Sequence, residues 1–315
     1  MIENSHAPAV EVDGLRKTYA DKVAVEDVSF RVEPGEVFGI LGPNGAGKTT
    51  TVESVCGLRV GDAGTVRVHG IDPWTDHEAI TRIVGVQLQE SRMQPKLTVR
   101  EALELWTAFY DDPMPWADPA ERLGLVDHLD QRFGTLSGGQ QQRLSIALAL
   151  IGRPRVAILD ELSTGLDPRA RREVWSLVRD LRDRGTTVLL VTHGMEEAEA
   201  LCDRVAIIDR GRVRAVGTPS DLVGGAAAAT VTSFEPSEAV DLVALRELEG
   251  VADVRADAGR VTVTGAEDAA VAVLTRLASR GVVPHRLRVV DGSLDSAYLD
   301  LTLDNQGAAP EEVTA

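Results

Sequence analysis

The sequence predicts an α/β fold: a mixed sheet built around a phosphate-binding loop, interrupted by a helical segment, with a small α+β unit of βαββαβ order after it. Three observations carry this. The wholly apolar run Val37-Phe38-Gly39-Ile40-Leu41 leads into Gly42-Pro43-Asn44-Gly45-Ala46-Gly47-Lys48-Thr49-Thr50 and then into a helical pattern. Further apolar runs of strand length, at 83–86, 156–159 and 187–191, alternate with helical segments, as strands buried on both faces do. Beyond residue 230 the pattern changes to short alternating strands around two helical stretches. At 315 residues the chain is long enough for roughly two domains.

Val10-Glu11-Val12 and Val28-Ser29-Phe30-Arg31-Val32 alternate apolar and polar residues, which predicts half-exposed antiparallel strands. Glu33-Pro34-Gly35-Glu36 turns from them into the buried strand. Tyr19 falls on the connection between the first two, where an exposed ring can stack on an adenine base or pack on its neighbours. In the loop that follows, glycines 42, 45 and 47 let the backbone turn tightly and aim N–H groups inward. The helix starting near Lys48 adds the positive end of its dipole. Lys48 is placed to reach β- and γ-phosphates and Thr49 to offer a hydroxyl to Mg²⁺, with Pro43, Asn44, Ala46 and Thr50 completing the cradle.

This helix is expected to end near Gly57, and Gly64-Thr65-Val66-Arg67-Val68 to resume the sheet. Ile83-Val84-Gly85-Val86 reads as a further strand running into Gln87-Leu88-Gln89-Glu90. Thr98-Val99-Arg100-Glu101 has capping-box spacing and starts a helix over 102–110; Asp112-Pro113-Met114-Pro115-Trp116 breaks it, and 118–128 reads as another helix. The helical subdomain spans about 90–153. Within it Ser137 and Gln140 form a second capping box, so Gly138 and Gly139 present bare N–H groups at the start of an apolar helix running to 150. One nucleotide does not easily use two separate cradles in one molecule. The second is expected to serve a nucleotide held by another copy in a head-to-tail pair.

The strand Val156-Ala157-Ile158-Leu159-Asp160-Glu161 ends in two carboxylates, which face different ways because side chains alternate along a strand. Asp160 can hold Mg²⁺ through water and Glu161 can polarise an attacking water; the plainer alternative is that both cap the next turn. Asp167-Pro168 starts a helix that Gly185 stops. The next strand, 186–192, delivers His193 to the carboxyl end of the sheet, where open α/β folds bind ligands and where it can hydrogen-bond a γ-phosphate.

Composition narrows the partners. Lys and Arg number 33 against 49 Asp and Glu, a net charge of −16 that suits neither nucleic acid nor an anionic lipid surface. Two distant cysteines, Cys56 and Cys202, predict buried thiols in a reducing compartment, and no metal cluster. No signal peptide and no apolar run of membrane-spanning length is expected.

Taken together, these residues resemble the ATP-binding subunit of an ABC transporter of the antibiotic- and multidrug-export type. The likeness rests on the Walker A run Gly42 to Thr50, Gln89 of the Q-loop, the signature 136–140, the Walker B pair Asp160 and Glu161, Asp167 of the D-loop and His193 of the switch loop. It covers about 8–220. The resemblance implies a P-loop ABC ATPase fold with ATP and Mg²⁺ as cofactors. By it, Glu161, His193, Gln89 and Lys48 are catalytic, and Thr49, Gln89 and Asp160 surround the metal. Tyr19 and the Walker A residues hold the nucleotide; Ser137, Gly138, Gly139 and Gln140 meet it from the opposite protomer, and Asp167 links the two sites. It further implies a second copy and a polytopic membrane permease as partners, no nucleic acid, and a place at the cytoplasmic face of the membrane. The function expected is that of a motor exporting a drug, antibiotic or lipid-like substrate. A soluble relative acting on ribosome or DNA is the alternative, disfavoured by the short span between Thr49 and Ser137, the single cassette and the acidic charge. Leu162, where many relatives have proline, and Gly194, where bulkier residues are frequent, depart from the pattern.

The tract 218–229, with Gly224-Gly225-Ala226-Ala227-Ala228-Ala229, reads as a linker between a domain over 1–217 and a second over 230–303. In the second, strands are expected at 230–234, 251–255, 260–264 and 282–290, and helices at 236–249, 267–280 and 294–301. This order fits a ferredoxin-like domain. It contains no nucleophile, metal cluster or phosphate loop, so a regulatory or dimer-supporting role is expected. Ser293-Leu294-Asp295-Ser296-Ala297-Tyr298-Leu299 resembles the tail of the export branch, and 304–315 is expected to be disordered.

Overall fold

The computed structural model describes residues 7–290 and 294, apart from 21, 89–92, 227–229, 239, 258 and 267. The chain divides into two compact units, Met1–Thr218 and Pro219–Ala315.

The first unit opens with the hairpin β1 (Val10–Tyr19) and β2 (Lys22–Val32), whose alternating burial turns Val10, Val12, Leu15, Val28, Phe30 and Val32 inward. β3 (Val37–Leu41) is buried on both faces, and Phe38 stacks on Phe30 with ring centroids 5.3 Å apart. Helix α1 (Lys48–Val55) follows, then β4 (Ala63–Val68) on the outer edge of β1. Helix α2 (His77–Ile83) was not anticipated. Asp76 caps it by accepting from the Ala79 N–H, so Ile83 ends a helix and strand β5 (Val84–Gln87) begins one residue later than the apolar run suggests.

Both halves of the Thr98/Glu101 capping box form, and they start α3 (Val99–Thr107) at its cap rather than at residue 102. The helix expected over 118–128 splits into α4 (Ala117–Arg122) and a 3₁₀ turn at 126–128. Gly124 at φ +62 unwinds the chain between them. The longer elements are α5 (Gly138–Ile151), β6 (Val156–Asp160), α6 (Pro168–Asp183), β7 (Thr187–Thr192), α7 (Met195–Leu201), and the hairpin β8 (Arg204–Asp209) with β9 (Arg212–Gly217). The sheet has nine strands in the order β4-β1-β2-β9-β8-β3-β7-β6-β5. The stretch from β8 to β5 is parallel, and its crossovers are helical as parallel pairing requires.

The second unit begins with α8 (Pro219–Ala226), so the stretch read as linker is helical over most of its length. Then come β10 (Thr230–Pro236), α9 (Leu242–Arg246), β11 (Val251–Asp257), β12 (Arg260–Gly265), α10 (Ala269–Ser279) and β13 (Pro284–Val290). Helix α9 is far shorter than the expected 236–249. Residue 236 still belongs to β10, the Ser237 N–H donates to Val283 O, and Asp241 places the cap late by accepting from Val243 and Ala244. The strands form one antiparallel sheet, β11-β12-β10-β13, over a core of Phe234, Leu245, Val254, Val263, Val273 and Leu277. The expected helix 294–301, apart from Leu294, and the tail 304–315 lie outside the described residues.

Cys56 and Cys202 are both free and buried. Burial pushes the Cys56 thiol up to about 12 and raises that of Cys202 as well. Only the thiolate reacts, and a raised pKa keeps both groups protonated at pH 8. Native protein mixed with Ellman's reagent at pH 8 should therefore release almost no chromophore in the minutes that suffice for two equivalents in guanidinium. A rapid first equivalent from native protein contradicts this packing.

Candidate active site

The loop after β3 is pressed between two neighbouring strands. A Cβ on Gly42 would stand 2.1 Å from Ile208 O, and one on Gly47, whose φ is +102, would stand 2.5 Å from Ala24 O. Only glycine lets the backbone lie this close and still start α1 at Lys48. The Lys48 ammonium curls over the loop, donating to Gly42 O at 2.7 Å and Pro43 O at 3.1 Å. Its burial lowers the lysine pKa, while the carboxylates of Asp160 and Glu161 pull it back up.

β6 ends at Asp160, which is 3 % exposed. Glu161 is not the last strand residue that alternation suggests: it sits at φ +51 in the left-handed region while its N–H still donates to Val191 O at 2.8 Å. The chain has left the strand at Glu161, so strand alternation does not set where its carboxylate lies relative to that of Asp160. A non-glycine residue in this region is strained, and such strain collects at sites where position matters. Oε1 of Glu161 lies 3.2 Å from Nδ1 of His193. The Thr192 hydroxyl accepts from the Gly194 N–H at 2.9 Å, and this turn projects the imidazole. Gly194 itself has an ordinary negative φ, −86, with space around a Cβ, so the bulkier residues of relatives are not needed or excluded here.

A pocket of about 440 Å³ collects Tyr19, Lys22, Ala24, Asn44, Gly45, Gly47, Lys48, Thr49, Thr50, Asp160 and Glu161. Residues as far apart in sequence as Tyr19 and Glu161 thus meet at the carboxyl edge of the sheet. Tyr19 is 38 % exposed at the end of β1, with Lys17 Nζ and the Arg59 guanidinium each 5.8 Å from its ring centroid. Thr49 and Asp160 bring a hydroxyl and a carboxylate to the same pocket, hard oxygen donors of the kind Mg²⁺ takes. Among the described residues no group of three or more His, Cys, Asp or Glu is arranged to hold a metal by itself.

Ser137 to Gln140 are not among the residues lining this pocket. Ser137 caps α5: its hydroxyl accepts from the Gln140 N–H at 3.3 Å, and Gln140 Oε1 accepts from the Ser137 N–H at 2.8 Å. A Cβ on Gly138 would meet nothing within 4 Å, so the start of this helix is open to a ligand or another surface. Asp167 caps α6, accepting from Ala170 and Arg169 N–H groups that hold its carboxyl below the usual range. Gln89 lies outside the described residues. Sequence reasoning missed two glutamines. Gln87 is buried and donates to Asp160 O at 3.0 Å, and Gln142 donates to Glu161 O at 3.3 Å, so β5 and α5 both grip the backbone of the two carboxylates. Gln142 stands in the run Gln140-Gln141-Gln142, where nothing in the pattern singles it out.

Comparison with known proteins bears on this geometry. The family model described as ABC transporter matches residues 25–164. Nod factor export ATP-binding protein I of Paraburkholderia xenovorans (strain LB400) is 43 % identical over 246 residues, covering 76 % of this chain and 79 % of the relative. Linearmycin resistance ATP-binding protein LnrL of Bacillus subtilis (strain 168) is 33 % identical over 305 residues, 93 % of this chain and 98 % of the relative. Among solved structures, an ATP-binding subunit of an ABC transporter superposes with TM-score 0.64 at 29 % identity, over 69 % of this chain and 92 % of that one. A dimeric ATP-binding cassette in a post-hydrolysis state, bound to ADP and Pi, matches with TM-score 0.62 at 27 % identity, over 66 % and 98 %.

Gly47→Ala should weaken ATP binding by roughly tenfold or more, because the left-handed backbone and the Ala24 carbonyl together resist a methyl group by about 1–3 kcal/mol. Titration with a fluorescent ATP analogue reads this directly. Undiminished affinity contradicts a cradle that depends on close backbone approach.

Proposed function

The chain belongs to the family of ABC transporter ATP-binding proteins, and from that premise we propose that it is the ATP-hydrolysing motor of an exporter, driving a separate membrane permease that moves a drug, antibiotic or lipid-like compound. The observation that carries the reading is one pocket joining Lys48, Thr49, Asp160 and Glu161 at the end of the sheet, with His193 against Glu161. Export is supported by the two relatives, one acting in Nod factor export and the other in linearmycin resistance. The second of these aligns well past Thr218, so the similarity extends into the second unit.

In this reading Tyr19 stacks on the adenine and the loop N–H groups from Gly42 to Thr50 hold the phosphates. Lys48 exchanges its two carbonyl partners for β- and γ-phosphate oxygens, a favourable trade for an ammonium whose burial disfavours charge. Thr49, Asp160 and Gln89 would hold Mg²⁺, which would supply neutralisation of the charge on the phosphates. Glu161 accepts a proton from water as the water oxygen bonds to the γ-phosphorus and the bond to the bridging β–γ oxygen breaks. His193 orients Glu161 and donates a hydrogen bond to the γ-phosphate. Ser137, Gly138, Gly139 and Gln140 at the open start of α5 complete the site of a second copy, and Asp167 relays between the two sites. The dimeric cassette among the structural neighbours supports that pairing.

The permease is a separate polypeptide in this reading, and the protein works at the cytoplasmic face of the membrane; among the described residues no helix is long and apolar enough to cross it. The second unit reads as a ferredoxin-like module supporting the dimer or regulating it. Its βαββαβ order and its strand order, with the first and third strands central, support that assignment.

Two experiments test the proposal. Glu161→Gln should bind ATP normally and hydrolyse it about 10²–10⁴-fold more slowly, the usual worth of a positioned base, and should elute as a dimer in ATP on size exclusion. Undiminished turnover removes Glu161 from the role of base. Affinity purification of the chain from detergent-solubilised native membranes should bring a polytopic protein in near-equal amount, as read by mass spectrometry. Recovery with ribosomes or DNA instead overturns the transport reading.

A further inference from the structure

Behind the Glu161–His193 pair lies a second polar cluster that the site residues do not account for. Glu197 is 5 % exposed on α7, four residues after His193. A carboxylate this buried needs donors around it. Two are present: the Ser163 hydroxyl hydrogen-bonds Oε1 of Glu197, and the Trp175 indole N–H donates to the same oxygen at 3.2 Å and to Ser163 Oγ at 3.0 Å. Arg171 closes the cluster from outside. Its guanidinium stacks 5.1 Å from the Trp175 ring centroid and donates to both carboxylate oxygens of Glu196, at 3.0 and 3.3 Å. These five residues come from three pieces of chain. Ser163 stands two residues after Glu161, on the loop that leads to Asp167; Arg171 and Trp175 stand on α6; Glu196 and Glu197 stand on the helix that follows His193.

We propose that Ser163, Trp175 and Glu197 form a positioning network that locks the loop carrying Glu161 to the helix that follows His193, and so sets the 3.2 Å approach of the two groups. The inference rests on the reading of Glu161 as base. None of the three side chains touches the nucleotide pocket, so they act through the segments they tie together. The geometry favours a lock over mere filling. A single oxygen of Glu197 receives both donors, and Ser163 bonds to both Trp175 and Glu197, so the triangle closes only when loop and helix keep one spacing. Exposed ion pairs alone are weak tethers, which leaves the triangle of buried Trp175 and Glu197 with half-buried Ser163, rather than the Arg171–Glu196 pair, as the element that fixes this spacing. A neighbouring cavity of about 230 Å³, bordered by His193, Thr192 and Gly194 as well as by the cluster, leaves the switch segment room to shift once the triangle is broken.

The test uses the full chain and steady-state ATP hydrolysis alongside equilibrium ATP binding. Trp175→Phe keeps the ring and removes the N–H; Ser163→Ala removes the hydroxyl, and Ser163→Thr keeps it. Each of the first two should lower kcat about three- to tenfold, a part of the worth of one hydrogen bond to a carboxylate because the loss reaches the reacting groups only through the segments tied together, with KM and ATP affinity unchanged within twofold. Ser163→Thr should restore most of kcat. The double variant Trp175→Phe/Ser163→Ala should be no slower than about twofold below the worse single, since both break one triangle. Unchanged kcat in both singles, losses that multiply, or an equal loss for Ser163→Thr and Ser163→Ala overturns the network. A variant that melts early is read through the other member of the pair. Failure of the underlying reading looks different: there the unaltered protein, or Glu161→Gln beside it, already departs from the expected hydrolysis.

Discussion

Leu41 pairs with Thr192 and Asp160 with Val191, so β3, β7 and β6 end within about one residue of each other along a single edge. The site depends on that register. The glycine-rich loop 42–50 springs from β3, Asp160 and Glu161 from the end of β6, and His193 from β7; a slip of one residue in the pairing of β6 would turn the Asp160 carboxylate into the apolar layer and an aliphatic side chain toward the pocket. The strands hold this alignment because they are apolar on both faces. Ile40, Leu159, Leu190 and Val191 have no exposed surface, and no polar alternative competes for their places.

Charge is then admitted to the edge of the core under tight local control. Lys48 is buried yet has two carbonyl partners, and Glu161 is held in a strained conformation by the Val191 carbonyl on one side and by Gln142 on the other. Gln87 adds a third grip, on the carbonyl of Asp160. Each contact is an ordinary hydrogen bond, but together they fix the backbone on which both carboxylates stand. Preorganisation of this kind is what catalysis by positioning and charge stabilisation requires.

Much of this was legible beforehand. The loop from Gly42 to Thr50, both capping boxes, the Asp167 cap and the buried strands could be read because each depends on residues a few positions apart. The errors have the same cause in reverse. Helix α2 escaped because only Ile80 in it is buried, which leaves little apolar period to detect. Helix α9 was overestimated because β10 runs on through Pro236, and strand pairing rather than local propensity decides that boundary. Glu161 was placed in a strand because its neighbours are strand residues; its positive φ comes from the turn that the loop to Asp167 must make.

The order of residues along the chain sets the chemistry on offer: where a glycine-rich loop meets a helix start, which segments end in carboxylates, and which helices begin with open N–H groups. These are local properties, set by spacing along the chain. Tertiary structure alone decided which of them meet. Tyr19 joins a pocket with Glu161, Gln87 grips the end of the strand that carries Asp160 and Gln142 the turn after it, and Ser163, Trp175 and Glu197 close a triangle, because the folding of the sheet and its crossover helices brings distant segments together. The energy of such contacts lies between residues that no short-range pattern connects.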